Sequence, residues 1–428
     1  MNESKINWFL YIPLYALFFA FLLFQSRGFS EAQDNPISLM NLNRFIGISS
    51  SIIFILGFFL MKEKINISIP ITLKFYSIYL VIGIISTILF SEWLLYSFWK
   101  LAEIFAVFIF SVYVWNLSYR SPIVASIFYE RIVDFFKFLL IATVLNIIFL
   151  PGSAIQPPVS SREAFLPFQF ICIVPQINPN SLGLLSAVVL FISLIRFLKL
   201  SDKKIMSSNL IWMLFAFLLL IFAQSRTSIL SLFIALCLSI LLFRKLHFIM
   251  KGLMYLLLIL SIYLYLPYIV LYLKRGSPET LIMTMSGRTT MWDFAMDYFW
   301  KSDLINKILG SGFAISNRLI LQRYMSEAST LHSDYIDALI STGITGLVFL
   351  SLFLVFNLYK TTLCTLKNKS NSVYIELFGV SIILTLRTIT GPTISFLSFF
   401  LPLFLIIPIY LSRMNQFLQK LESPIENK

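Results

Sequence analysis

The sequence predicts an all-α integral membrane protein: about 12 transmembrane helices and one long extracytoplasmic loop that carries short amphipathic helices. Three observations predict this. Hydrophobic residues make up 58% of the chain and charged residues 12%, a balance that excludes a soluble globular domain. Apolar stretches close to the ~20 residues needed to cross a hydrocarbon core as helix recur from one end to the other. The only long polar excursion runs from Leu273 to Gly346. A chain of membrane spans gains little stability from such a segment, which marks it as the working part.

In chain order the spans are expected at 7–25, 45–61, 73–90, 101–117, 135–151, 181–198, 208–224, 227–243, 252–272, 343–359, 373–389 and 394–411. This divides the chain into helices one to nine (1–272), an extracytoplasmic catalytic loop (273–342), and helices ten to twelve with a cytoplasmic C-terminal tail (343–428). The first stretch is long and no small-residue cleavage site follows it in Gln25-Ser26-Arg27-Gly28, so it reads as a span rather than a signal peptide. A second outside segment, Pro151 to Asn180, carries Pro157-Pro158 and ends in the turn residues Asn178-Pro179-Asn180. Within the long loop, Thr289 to Trp300 reads as a helix with Met291, Phe294, Ala295, Tyr298 and Phe299 on one apolar face.

Basic residues orient the array. With the N-terminus inside, the inside segments hold 20 of the 33 Lys and Arg residues, and the short outside loops hold 6: Arg27, Arg44, Lys100, Arg162, Arg226 and Arg387. That asymmetry predicts cytoplasmic termini and an extracytoplasmic long loop. The loop's own basic residues are balanced by acids such as Asp293, Asp297, Asp303 and Asp334, which argues against a simple sticker for anionic lipid. The net charge of +13 comes without a basic and aromatic patch on a soluble domain, so nucleic acid is not expected as a partner. Cys172, Cys237 and Cys364 lie far apart, with neither disulfide nor zinc spacing.

Few outside residues could carry chemistry. Arg226 lies in the tight turn Gln224-Ser225-Arg226-Thr227-Ser228 and reads equally well as a snorkelling anchor. Arg288 follows a glycine before the amphipathic helix, where a solvated surface role is the blander alternative. His332, taken alone, reads as a hydrogen-bonded histidine ahead of a helix; His247, among Arg244, Lys245 and Lys251, reads as a headgroup-level residue. Arginines grip diphosphates through forked hydrogen bonds, and a neutral histidine can take a proton from a sugar hydroxyl. With no outside carboxylate cluster, metal-free and cofactor-free transfer of a glycan from a diphosphate carrier is the expectation.

The order of Asn178-Pro179-Asn180, Ser225-Arg226-Thr227, Ser286-Gly287-Arg288 with Trp292, Leu309-Gly310-Ser311-Gly312-Phe313, and His332-Ser333 with Gly343 and Gly346 resembles the O-antigen ligase and polymerase superfamily. The resemblance covers about residues 178 to 350. It implies a bacterial inner-membrane glycosyltransferase that uses undecaprenyl-diphosphate-linked glycan, with membrane lipid and a chain-length regulator among its partners. It implies that Arg226 and Arg288 hold the diphosphate and that His332 is the base. Arg387, near the last outside turn, joins the diphosphate group by position. Asn180, Trp292 and Tyr335 are candidate glycan contacts; Asn180 reads equally as a helix cap and the aromatics as interfacial anchors, and Asp334 receives no role. The expected activity is polymerisation of repeat units for O-antigen, capsule or exopolysaccharide. The alternatives are an O-antigen ligase delivering polymer to lipid A core and, from a different class, a flippase or transporter. A transporter would show repeat symmetry and mid-membrane ionisable groups, which the sequence lacks.

Overall fold

The computed structural model describes residues 8–22, 39–61, 69–119, 121–157, 166–199, 203–242, 288–316, 331–368 and 371–422, with the single positions 252 and 319. A 3-10 turn, Trp8–Tyr11, leads into α1 (Ile12–Leu22), α2 (Leu39–Leu60), α3 (Ile71–Phe90), α4 (Leu94–Ser118), α5 (Ile123–Phe149) and the short α6 (Pro151–Ala154). A two-residue antiparallel pair follows, β1 (Ile155–Gln156) with β2 (Gln169–Phe170). Then come α7 (Pro179–Lys199), α8 (Lys203–Ala223), α9 (Arg226–Leu242), α10 (Arg288–Lys301), α11 (Leu304–Leu309), α12 (Asp334–Lys367), α13 (Ser372–Thr390) and α14 (Leu401–Glu422). Among the described residues, α2, α3, α4, α5, α7, α8, α12 and α13 are long and apolar enough to cross a membrane, and α1 and α9 are shorter apolar helices. The protein is an all-α, multi-pass membrane protein. The expected span at 252–272, apart from position 252, and the start of the long loop, 273–287, lie outside the described residues.

The described residues form two compact units. The first comprises residues 1–135, 295–357 and 391–428. In it α1 packs on α2, α4 receives α2, α3 and α14, and the Phe18 and Phe135 rings stack at 3.8 Å. The helices here extend beyond the spans expected from hydropathy. The spans at 45–61 and 101–117 are parts of helices that begin at Leu39 and Leu94, so Arg44 and Lys100 lie within helices rather than in loops. Both are buried and share one carboxylate, Arg44 Nη1 donating to Glu103 Oε1 at 3.2 Å and Lys100 Nζ to Oε2 at 3.0 Å. Pairing makes the charges tolerable inside a helix bundle. Likewise α5 begins at Ile123, twelve residues before the expected 135, because its early turns bury Val124, Ala125, Phe128, Tyr129 and Ile132 while Arg131 and Asp134 pair on the open side.

The last span departs most from expectation. Residues 394–400 are not helical, and α14 starts at Leu401. Gly391-Pro392 prevents α13 from continuing, and the Asp334 carboxylate takes the backbone N–H groups of Thr393, Ile394 and Ser395, at 2.9 Å and 2.8 Å for Thr393 and Ser395, together with the Ser395 hydroxyl. Irregular backbone at membrane depth is tolerated where protein satisfies it in this way. Near its middle α14 is locked by Arg413, which donates to Ser118 Oγ and the Trp115 carbonyl and stacks 3.3 Å from the Trp115 ring centroid.

The glycine motif 310–312 is a docking device in the same unit. Gly310 ends α11 with φ +86°, where a Cβ would lie 2.3 Å from the Ser341 carbonyl. Ser311 N–H then donates to the Ile340 carbonyl, Gly312 N–H to Ser86 Oγ and Phe313 N–H to Thr87 Oγ1. Reciprocally α12 is broken at Gly343, with φ +66°, and a Cβ there would meet the Ile308 carbonyl at 2.3 Å. The kink is the space that α11 fills.

The second unit comprises residues 136–294 and 358–390. Here α7 packs along α8 and against α13 and α9, and α9 packs along α13. Arg196 of α7 holds Glu376 of α13 through two bonds of 2.9 and 2.7 Å. Gly183 lets α7 approach the α8–α9 turn, since a Cβ would lie 2.3 Å from that of Ser225. Asn146 organises the segment after α6 by accepting the N–H groups of Ile173 and Val174 on Oδ1 and donating to the Val174 carbonyl.

Candidate functional site

The turn between α8 and α9 begins with Gln224, whose φ of +52° reverses the chain. Its side-chain amide donates to the Leu166 and Phe168 carbonyls, at 3.3 and 2.6 Å, which ties the outside segment after α6 to the turn. Ser225 opens α9: its carbonyl accepts the Ile229 N–H, and its hydroxyl meets that of Ser228 at 2.8 Å. Arg226 is the first residue of α9 and Thr227 the second. Arg288 is likewise the first residue of α10. Two helices of the second unit therefore start Arg-Thr, each placing an arginine at the positive end of a helix dipole.

The third arginine comes from the opposite kind of helix end. Arg387 lies in the last turn of α13, buried, and its Nη1 donates to the Thr390 carbonyl at 3.0 Å and approaches the Thr390 and Thr227 hydroxyls at 3.3 Å each. Arg288 Nη1 donates to that same Thr390 carbonyl at 2.9 Å. One helix-terminal carbonyl, carrying the partial negative charge of the α13 C-terminus, thus holds two guanidinium groups side by side. Arg226 lies close enough to Arg288 to act on it electrostatically. Burial first, and then the positive charge of Arg226, hold the Arg288 guanidinium below its usual pKa. Arg288 and Arg387 thus share the Thr390 carbonyl, and the like charges of Arg288 and Arg226 act against each other.

Of the other residues singled out from sequence, Asn180 and Trp292 belong to the second unit, and His332 and Tyr335 to the first. Asn180 is not the cap of α7. Asn178 is, its Oδ1 accepting the Ser181 N–H at 2.8 Å, with Pro179 as the first helical residue. Trp292 stands one turn after Arg288 and is half-buried. Tyr335 is half-buried in the first turn of α12. His332 has φ +54°, a left-handed conformation uncommon outside glycine, and it alone is partly exposed in the run 331–334. Cys172 is no nucleophile: burial pushes its thiol up to about 11.

Sequence reasoning missed Thr227, Thr390 and Gln224. The signal for Thr390 was present in Thr390-Gly391-Pro392, a helix stop directly after Arg387. It also passed over Asp334, whose carboxylate serves the backbone of residues 393–395 instead of solvent.

The spans and the clustered arginines define a multi-pass membrane protein with a cationic site at its helix ends. Residues 211–351 match the family model described as O-antigen ligase, a match that supports the O-antigen ligase/polymerase superfamily. The matched segment contains Arg226, Arg288 and His332, while Arg387 and Asn180 lie outside it. No curated protein matches the chain. The family match supports a glycosyltransferase-like function of the ligase or polymerase type.

Proposed function

We propose that the protein is a repeat-unit polymerase that joins undecaprenyl-diphosphate-linked oligosaccharides on the extracytoplasmic face of the bacterial inner membrane, without a metal. The observation that supports this best is the meeting of Arg288 and Arg387 on the Thr390 carbonyl, with Arg226 close enough to act electrostatically on Arg288. In the reaction the acceptor hydroxyl oxygen forms a bond to the anomeric carbon of the donor glycan, and the bond from that carbon to the diphosphate oxygen breaks. The electron pair leaves with undecaprenyl diphosphate, whose growing charge the guanidinium groups stabilise in place of magnesium. The acceptor's proton passes to His332. Polymerase is preferred to ligase because the outside segments are poor in basic residues beyond this cluster, whereas a ligase must admit a phosphorylated lipid core.

The test is turnover by purified protein on a lipid-diphosphate-linked repeat unit in excess chelator. Arg288→Ala is expected to lose about 10²-fold or more in kcat, and Arg288→Lys to recover only part, since an ammonium lacks the two-pronged fork. Loss of turnover on chelation with recovery in magnesium would sink the arginine-based account. Long chains still attached to the carrier in a deletion strain would show a ligase.

A further inference from the structure

We propose that α12 begins as a re-entrant limb that carries His332 down beside α3, and that the acceptor's terminal sugar enters a crevice at the inner end of this limb; this rests on His332 acting as the base. The helix α3 serves as a ruler. Near its C-terminal end Ser86 Oγ donates to the Ser341 carbonyl at 2.8 Å, and Gly83 stands against Thr342. Ten residues before Ser86, Tyr76 Oη donates to the Ile394 carbonyl at 2.9 Å, and the Ile394 N–H donates to Asp334 Oδ1 at 3.2 Å. Residues 334–342 therefore run in the same sense as α3. After Gly343 the sense reverses, because Phe353 packs on Tyr76 with ring centroids 5.0 Å apart and Phe356 on Phe75 at 4.9 Å. Residues 344–367 alone, about 36 Å of helix, are long enough for a span. Counting from Phe90 to Ser86 and from Ser341 to Asp334, the start of the limb lies roughly 16 Å below the C-terminal end of α3.

Three ionisable residues sit at this depth. Asp334 is enclosed by the backbone of 393–395, and Asp337 lies beside Ser316, whose hydroxyl donates to its Oδ1 at 2.8 Å. His332 is partly exposed, as are Tyr335 and Ile336, whereas residues 337–343 are buried. Ionisable side chains within a membrane layer face the bundle interior or water, not lipid. The opening at 332–336 is therefore a hydrated crevice. A sugar fits it better than an isoprenoid chain does, and Tyr335 offers a ring to one sugar face. Seating the sugar displaces the water that would otherwise compete with its hydroxyl as the nucleophile.

Cysteine labelling tests it, in a chain with Cys172, Cys237 and Cys364 replaced and in cells with the outer membrane opened. Each position is treated with a small charged maleimide and with a bulky polyethylene-glycol maleimide. The ratio of small to bulky rates is expected to be about tenfold higher at His332→Cys than at Lys301→Cys on the exposed end of α10. Oligosaccharide released from the cells' own carrier-linked repeat units is expected to slow the His332→Cys reaction several-fold, and farnesyl diphosphate, the probe for the lipid handle, to leave it unchanged. If His332→Cys fails to fold, Tyr335→Cys is expected to give the same pattern. Equal ratios at the two positions, or protection by farnesyl diphosphate alone or by neither probe, would overturn the proposal. Full turnover by His332→Ala would instead remove the histidine's role as base, and the labelling would still decide whether the crevice exists and what fills it.

Discussion

Single residues divide here by what their neighbours leave visible. Arg226 and Arg288 were legible because each stands at a polar break between apolar runs. Arg387 was grouped with them only by its position near the last outside turn; the Thr390 carbonyl it shares with Arg288 comes from packing, because α13 is distant in sequence from both. Asp334 was illegible for the opposite reason: a carboxylate at a helix start ordinarily caps its own helix, and nothing local shows that this one serves residues 393–395. Its removal should be costly. Asp334→Ala leaves three buried backbone donors without an acceptor, and the expected loss is about 3 kcal/mol or more. Thermal unfolding in detergent checks it, with Asp303→Ala as control, since Asp303 is exposed and makes no side-chain capping bond. Equal midpoints for the two variants would refute the structural role given to Asp334. Arg387→Lys keeps the charge yet cannot reach Thr227 and Thr390 together, so turnover should fall about tenfold with folding intact.

Elements were read correctly where hydropathy is uninterrupted and wrongly where charge is hidden by pairing. The turn at Gln224 separates two helices as the sequence suggests, because neither α8 nor α9 carries a charge near it apart from Arg226. The early turns of α2, α4 and α5 were lost because Arg44, Lys100, Arg131 and Asp134 look like loop residues to a hydropathy window, while buried pairing or an open helix face accommodates them. The glycines at 310 and 343 were visible as punctuation, but their joint purpose, a short helix set into a kink, needs both segments at once. Gly343→Ala should destabilise by more than about 1 kcal/mol, since alanine must take φ +66° and its Cβ meets a backbone carbonyl that cannot swing away. Gly57→Ala, with open space around its Cβ in the last turn of α2, should stabilise by about 0.5 kcal/mol. Unfolding midpoints that move in the same direction for both would contradict this account of the kink.

Over the whole molecule, the distribution of charge is the property most open to correction by structure, because hidden charges do not steer insertion. Of the outside short-loop set, Arg44 and Lys100 are paired with Glu103 inside the first unit. Of the inside set, Arg196 is paired with Glu376 and Arg413 is buried against Trp115. Removing two from each leaves 18 inside against 4 outside, so the asymmetry persists without these four paired or stacked residues. Two of the remaining four, Arg226 and Arg387, belong to the arginine group at the ends of α9 and α13. The orientation proposed from that asymmetry puts α10 on the extracytoplasmic side and the far end of α12 on the cytoplasmic side. In a cysteine-free background, Lys301→Cys on the exposed end of α10 should react with a membrane-impermeant maleimide in intact cells with the outer membrane opened. Lys360→Cys, exposed toward the end of α12, should react only after the inner membrane is broken. The reverse pattern would place the arginine cluster on the cytoplasmic face, where polymerisation of translocated carrier-linked units has no substrate, and would remove the proposed function together with the topology.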